Sequence, residues 1–259
     1  MIQITVLGCG TSTGVPIIGC KCQVCQSKNR KNKRSRASIW VQTQKKSLLI
    51  DASTDFRTQA LTHQIPKIDA LLLTHSHSDH ISGIDDLRCY NFIQKKSIPV
   101  FGNQDAKRDL FKRYDYIFKP NHPHEGGAVA DLEFHLIRKS DQIFKASGVE
   151  VTPLPVDHGS KLKVLGFRIH DIAYLTDCSY IPEQSLKRMR DLSVLILDCV
   201  RIKPHRTHLN LEQALEVVKK VKPRKTYLTH LGHDFDYSTW NSKLPSGVQL
   251  AYDGMTVKN

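Results

Sequence analysis

Leu71-Leu72-Leu73-Thr74-His75-Ser76-His77-Ser78-Asp79-His80 is the stretch that decides the fold. The apolar run from Ile68 to Thr74 reads as a buried strand, and four good metal ligands follow it within six residues. His75 and His77 are two apart, so in extended backbone both imidazoles leave the same face and can meet one ion. Asp79 and His80 follow as the backbone turns and can reach a second ion beside the first. Imidazole and carboxylate suit Zn, Mn or Fe. The competing account is a polar loop with several histidines by chance. Three His and one Asp in H-x-H-x-D-H order are too dense for that.

Further ligand candidates sit where later strands end. Val149-Glu150-Val151-Thr152-Pro153-Leu154-Pro155-Val156 leads to Asp157-His158, Ile172-Ala173-Tyr174-Leu175-Thr176 leads to Asp177, and Lys225-Thr226-Tyr227-Leu228-Thr229 leads to His230. Each apolar strand delivers one His or Asp at its tip, as a site built on a sheet edge requires. Taken singly, each is an ordinary turn residue; the signal is their succession after H-x-H-x-D-H.

Strand patterns fall near 2–7, 36–42, 47–50, 68–74, 98–101, 149–156, 164–170, 172–176, 193–198, 225–230 and 248–252. Helical patterns fit 54–63, 103–112, 182–190 and 210–221, the last with an N-cap Asn210, early acids and late lysines. Two strand-rich blocks with flanking helices predict an α/β fold of two packed sheets, a four-layer αββα sandwich. No repeat or linker divides the chain, so residues 1–259 are expected to form one hydrolase-like domain. Residues 113–148 are the least regular part and read as a surface loop or lid. Within them His122 and His124 lack a third ligand nearby and are expected at a substrate lip or in solvent.

The 259 residues suffice for a full core, and 40% hydrophobic with 24% charged content describes a soluble globular protein. No apolar run approaches the ~20 residues of a membrane span, and the opening Met1–Leu7 segment lacks the marks of a signal peptide. A cytoplasmic location with reduced thiols is the expectation. Net charge of +13 allows nucleic acid, phosphorylated small substrates or a merely basic proteome. The basic run from Lys28 to Arg36 reads as a solvated loop, with Arg34 or Arg36 placed to touch a substrate phosphate.

Cys20-Lys21-Cys22-Gln23-Val24-Cys25 puts three thiols in C-x-C-x2-C spacing. In a reducing compartment this reads as a structural zinc knuckle at 20–25 rather than a disulfide. A closed tetrahedral site needs a fourth ligand, and the candidate is His233 in Thr229-His230-Leu231-Gly232-His233. Cys9, Cys89, Cys178 and Cys199 read as small core residues. Gly8-Cys9-Gly10-Thr11-Ser12-Thr13-Gly14 fails the dinucleotide spacing, lacks a P-loop Lys and runs into Val15-Pro16, so it reads as a tight turn over the metal site.

With these residues in order, the chain resembles a metallo-β-lactamase-fold hydrolase: Asp51, His75/His77/Asp79/His80, His158, Asp177 and His230 match that family's five motifs along essentially the whole length. The resemblance implies that His75, His77 and His158 hold one divalent ion (Zn or Mn), that Asp79, His80 and His230 hold another, and that Asp177 bridges them. Asp51 would orient a ligand by hydrogen bonding rather than bind metal. The cysteine knuckle, Gly8-Cys9-Gly10-Thr11, Gly14-Val15-Pro16, Thr152-Pro153-Leu154-Pro155, Leu244-Pro245-Ser246-Gly247 and Tyr252-Asp253-Gly254-Met255 are similar to one branch, the PhnP-like phosphoribosyl 1,2-cyclic phosphate phosphodiesterases.

That likeness implies hydrolysis of a small cyclic phosphodiester, 5-phosphoribosyl 1,2-cyclic phosphate to ribose 1,5-bisphosphate, with two active-site ions, one structural zinc and a phosphorylated sugar as partner. It implies Asp79 as a guide for the attacking water and His208, with His205 the nearby alternative, as the acid for the leaving oxygen. The second reading is an RNA-processing endonuclease resembling tRNase Z, which the charge favours. Thioester or lactone hydrolysis and a non-enzymatic zinc-knuckle nucleic-acid binder are weaker, and a homodimer is left open.

Overall fold

The computed structural model describes residues 2–43, 45–119, 128–139, 142–160 and 162–258; His122, His124 and the Gly126-Gly127 pair lie outside them. One sheet holds β1 (Gln3–Gly8), β2 (Ser38–Gln42), β3 (Ser47–Ile50), β4 (Ala70–Leu72), β5 (Ile98–Gly102) and β6 (Leu132–Leu136). The other holds β7 (Phe144–Ala146), β8 (Val149–His158), β9 (Leu162–Ile169), β10 (Ile172–Leu175), β11 (Val194–Asp198), β12 (Lys225–Thr229) and β13 (Val248–Leu250), while β14 (Thr256–Lys258) returns to lie beside β1. Both sheets are mixed. β3 to β6 and β10 to β13 run parallel, and the remaining pairs are antiparallel. The helices flank them, giving the expected four-layer αββα sandwich.

Period-two alternation sets the layers. Leu48, Ile50 and Leu72 point between the sheets, where they meet Leu154, Val156, Phe167, Leu175 and Leu197. Leu49, Leu71, Leu73 and Val100 point outward onto Phe56, Ile81, Leu87 and Leu110, which come from helices and turns over that sheet. The inner strands β3, β4, β10 and β11 are buried on both faces, which is why Ala70–Leu73 and Val194–Leu197 read as unbroken apolar runs. On the far side, helix Leu211–Val221 lays Leu211, Ala214, Leu215 and Val218 on the second sheet. Asn210 and Gln213 close a reciprocal capping box at its start, a device contributing about 1 kcal/mol.

Three expectations change. The 113–148 segment is not irregular throughout: it contributes one edge strand to each sheet, 132–136 and 144–146, and Leu132, Phe134 and Leu136 alternate with polar residues as a half-buried strand requires. Arg34 touches no substrate phosphate; it is 2% exposed and donates to the carbonyl of Gly232 at 2.9 Å, to that of Phe235 and to Asn32. Arg36 forms a two-pronged pair with Asp55 at 2.9 and 3.1 Å. Cys89 is exposed, whereas Cys9, Cys178 and Cys199 are buried, and none of the seven cysteines is in a disulfide. Among the described residues, no helix is long and apolar enough to cross a membrane.

The glycine-rich turn after β1 braces the C-terminal half. Leu231 N–H donates to Cys9 O at 2.7 Å and Thr11 N–H to Leu231 O at 3.2 Å. A Cβ on Gly10 would lie 2.7 Å from the Arg34 carbonyl, so only glycine fits. Beside it, the Asp253 carboxylate accepts from Ser35 N–H and Oγ–H at 2.7 Å each and from Cys9 N–H at 3.0 Å. Asp253 as a residue is only partly buried, but its carboxylate faces inward, and burial pushes it up to about 6 despite the donors. The folded chain therefore keeps a proton there that the unfolded chain (about 3.9) releases. As pH rises from about 4 to about 6, stability falls by about 1–2 kcal/mol through this group. Urea unfolding at pH 4 and pH 7 should show that loss in the wild type and a smaller one in Asp253→Asn; equal losses would remove Asp253 as its source.

Candidate metal centre

The residues singled out above converge at one end of the sandwich, beyond the C-terminal ends of the parallel strands, where open α/β sheets place their sites. Thr74 and His75 follow β4. The chain stays extended through His77 (φ −66°, ψ 151°) and turns into a short helix, Ser78–Ile81, whose first turn carries Asp79 and His80. His158 ends β8, Asp177 follows β10 and His230 follows β12. Asp51, Asp177 and His230 all adopt left-handed backbone, φ 62°, 52° and 58°. Non-glycine residues held there cost about 1–3 kcal/mol each and cluster at functional sites.

Asp177 stands between two groups. Its Oδ1 faces His75 Nε2 at 3.8 Å, and its Oδ2 faces His80 Nε2 at 3.2 Å and His230 Nε2 at 3.4 Å. Asp79 Oδ2 completes the second group, 3.2 Å from His80 Nε2 and 3.8 Å from His230 Nε2. His75, His77, His158 and Asp177 form one set with ligand atoms mutually within 4.8 Å; Asp79, His80, Asp177 and His230 form the other.

Whether these residues suit divalent ions can be tested on the protein's own atoms. His75 Nε2, His80 Nε2 and both ring nitrogens of His230 are buried without a hydrogen-bond partner. Nitrogens that stand 3.2–3.8 Å from carboxylate oxygens with poor hydrogen-bond geometry are placed as ligands of a common centre would be, and orphaned buried nitrogens are rare. Four carboxylates, Asp51, Asp79, Asp177 and Asp198, are all buried here, and among the described residues histidines are the only cationic side chains that face them; buried charge must be compensated. Burial by itself disfavours a charged His80, but Asp177 and Asp51 outweigh it and raise its proton affinity well above the usual range. Burial likewise opposes charge on Asp177, yet His230 and His80 hold its carboxyl well below the usual range. The site demands positive charge, and the donor set fits two divalent ions.

Outer contacts orient the rings. Asp51 accepts from Thr74 N–H and Oγ–H, both at 2.8 Å, and lies 2.7 Å from His80 Nδ1. His158 Nδ1 donates to Thr207 O at 2.7 Å, and Thr176 Oγ–H donates to Asp177 Oδ2 at 2.6 Å. Sequence reasoning missed Asp198, which is fully buried, 3.3 Å from His208 Nδ1 and 3.6 Å from His230 Nδ1, while its other oxygen accepts from Leu209 N–H at 3.0 Å. The missed signal was the strand-tip pattern itself, Val194-Leu195-Ile196-Leu197-Asp198. His208 lies with its Nε2 4.0 Å from Asp177 Oδ1. His205 instead accepts from Thr207 N–H at 3.2 Å.

The second candidate centre is separate. His233 Nδ1 lies 3.3 Å from Cys20 Sγ and 3.6 Å from both Cys22 Sγ and Cys25 Sγ. Tetrahedral zinc with Zn–S ~2.3 Å and Zn–N ~2.0–2.1 Å requires S···N of about 3.6 Å. Cys25 N–H donates to Cys22 Sγ at 3.4 Å and lowers that thiol to about 7, whereas burial and the neighbouring thiols push Cys25 up to about 11, so the thiolate a metal needs is favoured at Cys22 and not at Cys25.

Three comparisons bear on this arrangement. Residues 46–231 match the family model described as the beta-lactamase superfamily domain. A crystal structure described as a new diphosphatase from the PhnP family superposes with TM-score 0.91 at 39% identity, covering 100% of this chain and 98% of that one. Zn(2+)-bound PqqB from Methylobacterium extorquens shares the fold, with TM-score 0.77 at 18% identity over 99% and 100% of the two chains. A protein of Porphyromonas gingivalis named octanoyltransferase is 36% identical over 98% of this chain, which spans only 51% of that relative's length. The name is that longer protein's, and about half of it has no counterpart here.

Proposed function

The chain belongs to the beta-lactamase superfamily, in its PhnP family, and from that premise we propose that it is a metal-dependent phosphodiesterase acting on a small cyclic phosphodiester. The fold and family are those of metal-dependent hydrolases. The observation that carries the finer reading is Asp177, which turns one oxygen to each of two ligand sets, with His208 and its buried partner Asp198 alongside. His75, His77 and His158 would hold one divalent ion, Asp79, His80 and His230 the other, and Asp177 both. When bound, such ions would lower the pKa of the attacking water to about 7 and would neutralise charge on phosphoryl oxygens.

The protein's own groups do the rest. Asp79 accepts a hydrogen bond from the attacking water and aims it at phosphorus. His208, its Nδ1 held by Asp198, donates the Nε2 proton to the departing sugar oxygen as the P–O bond breaks. With 5-phosphoribosyl 1,2-cyclic phosphate, water adds to phosphorus, the bond to O2 opens, and ribose 1,5-bisphosphate results. The same groups would serve an anhydride P–O bond, the linkage implied by the word diphosphatase for the PhnP-family relative. The adjoining cavity of about 500 Å3 has room for a small phosphorylated sugar.

The test is kcat/KM of the metal-loaded protein on that cyclic phosphate, with a diphosphate-bridged dinucleotide and precursor tRNA assayed beside it. Preference for the cyclic ester is expected, and His208→Ala should lower kcat by about 10²–10⁴-fold with metal content unchanged. Faster cleavage of tRNA or of the dinucleotide would overturn the cyclic-ester assignment. An unimpaired His208→Ala would remove the assigned acid.

A further inference from the structure

At the metal end of the sandwich, cations are tied down: Lys163 pairs with Asp157, and Arg36 with Asp55. The opposite end, where the parallel strands begin, is different. Lys45 and Lys46 lie in the turn between β2 and β3, Lys145 on β7, Arg224 and Lys225 at the start of β12, and Lys258 at the end of β14. All but the half-buried Lys46 are exposed. The charged end of none of the six makes an ion pair or hydrogen bond among the described residues. Lys67 and Lys96 at the same end show the alternative, since both pair with buried Asp69, at 2.9 and 3.1 Å.

The six line two adjoining cavities. Lys45, Lys46 and Lys145 line one of about 670 Å3, and Arg224, Lys225 and Lys258 line another of about 620 Å3. The two flank a single turn, with His170 in the first lining and Asp171 in the second. The carboxylates in the described linings are Glu150 and Asp171, and Glu150 stands opposite Lys145 across the β7–β8 pair, where it offsets that cation. Scattered surface lysines are ordinarily solvated charges. Here like charges, which repel one another, are gathered around two concavities at one end of the molecule with few acids to balance them, and such a field attracts anions.

We infer that this end of the sandwich is a docking surface for a nucleic-acid backbone, separate from the metal centre. The spacing fits an extended polyanion better than a single phosphate. Lys145 on β7 and Lys225 on β12 are five strand positions apart in the second sheet, about 24 Å at ~4.8 Å per strand. No mononucleotide reaches that far, whereas duplex phosphates follow one another every ~3.4 Å of rise along each strand. A bilayer surface fits less well, because the aliphatic lining residues Ile2, Val149, Val194 and Val257 are buried and leave nothing apolar to insert. β8 measures the separation from the metal centre: it runs ten residues from Val149 in the first cavity to His158, about 30 Å. A nucleic acid held here lies away from the ligand cluster, so it localises the enzyme and is not its substrate.

The experiment titrates a fluorescent DNA duplex and an RNA of equal length with the full chain and follows anisotropy between about 50 and 200 mM salt. The wild type should bind both whatever their sequence, and six phosphate contacts should cost it about 10³-fold in affinity across that range. Lys45→Ala with Lys46→Ala, and separately Arg224→Ala with Lys225→Ala, should each weaken binding about 10- to 100-fold and reduce the salt slope by about 2. Hydrolysis should be unchanged in both, since neither pair touches the metal centre. Lys45→Arg with Lys46→Arg should bind like the wild type, because it keeps the charge. No binding at the lowest salt, or equal binding in the wild type and both alanine variants, would overturn the inference. Phosphatidylserine vesicles are assayed alongside, and binding of vesicles without binding of nucleic acid would make the partner a membrane and overturn it as well.

Discussion

Asp177→Ala is expected to strip the active site of metal and lower kcat by about 10³-fold or more. Asp177 is the only described side chain common to both candidate ligand sets, so its loss takes one oxygen from each. Outer hydrogen-bond partners of metal ligands cost about 10–100-fold when removed, and Asp51→Asn should fall in that range. A shared ligand must cost more, because the carboxylate also neutralises the cations it faces. The remaining histidines cannot compensate, since His75 and His80 sit at 1% and 0% exposure and have no freedom to close the gap. Elemental analysis of the purified variant beside its hydrolysis rate decides the matter. A variant that keeps two active-site ions per chain and most of its rate would show that Asp177 is a structural carboxylate.

The second large effect concerns the cysteine knuckle. Cys22→Ser should lose one zinc per chain and lower Tm by about 10 °C. Structural zinc sites bind with apparent energies of about 10–16 kcal/mol in peptides, energy that is folding energy when no preformed site exists. Here only part of it is at stake, because Arg34 independently ties the 232–235 segment to the 32–34 turn. A loss of about 3–5 kcal/mol at about 2–4 °C per kcal/mol gives the stated shift. His230 should keep its place through the Leu231–Cys9 pairing, so active-site metal should survive. Unchanged zinc stoichiometry and Tm would mean that the three thiols and His233 are merely packed together.

Much of this site is local chemistry. His75, His77, Asp79 and His80 share one strand end and one helical turn, so their convergence follows from backbone geometry alone, and Cys20, Cys22 and Cys25 are equally close in the chain. His158, Asp177 and His230 were legible one step less directly, as apolar strands that each end in a candidate ligand. Asp198 has the same signature and was passed over, because a strand-tip aspartate is indistinguishable from a turn residue until its neighbours are known. Its meaning comes from β11 lying between β10 and β12, which sets Asp198 against both His208 and His230. Arg34 inverts the lesson: a basic run suggested a solvated or phosphate-binding arginine, and the fold buried it as a tether. Edge strand 132–136 was hidden because its polar alternation resembles loop composition.

By itself, the order of apolar runs, ligand-bearing tips and cysteine spacing determined the αββα class and the residues from which two metal centres could be built. Only the tertiary structure decided which atoms face one another: that Asp177 divides its oxygens between two ligand sets, and that Asp198 backs His208 rather than His205. The physical reason is that these contacts join strand ends and loops far apart in sequence. Their geometry is set by how two sheets pack and by left-handed turns at Asp51, Asp177 and His230, and neither leaves a trace in local residue pattern.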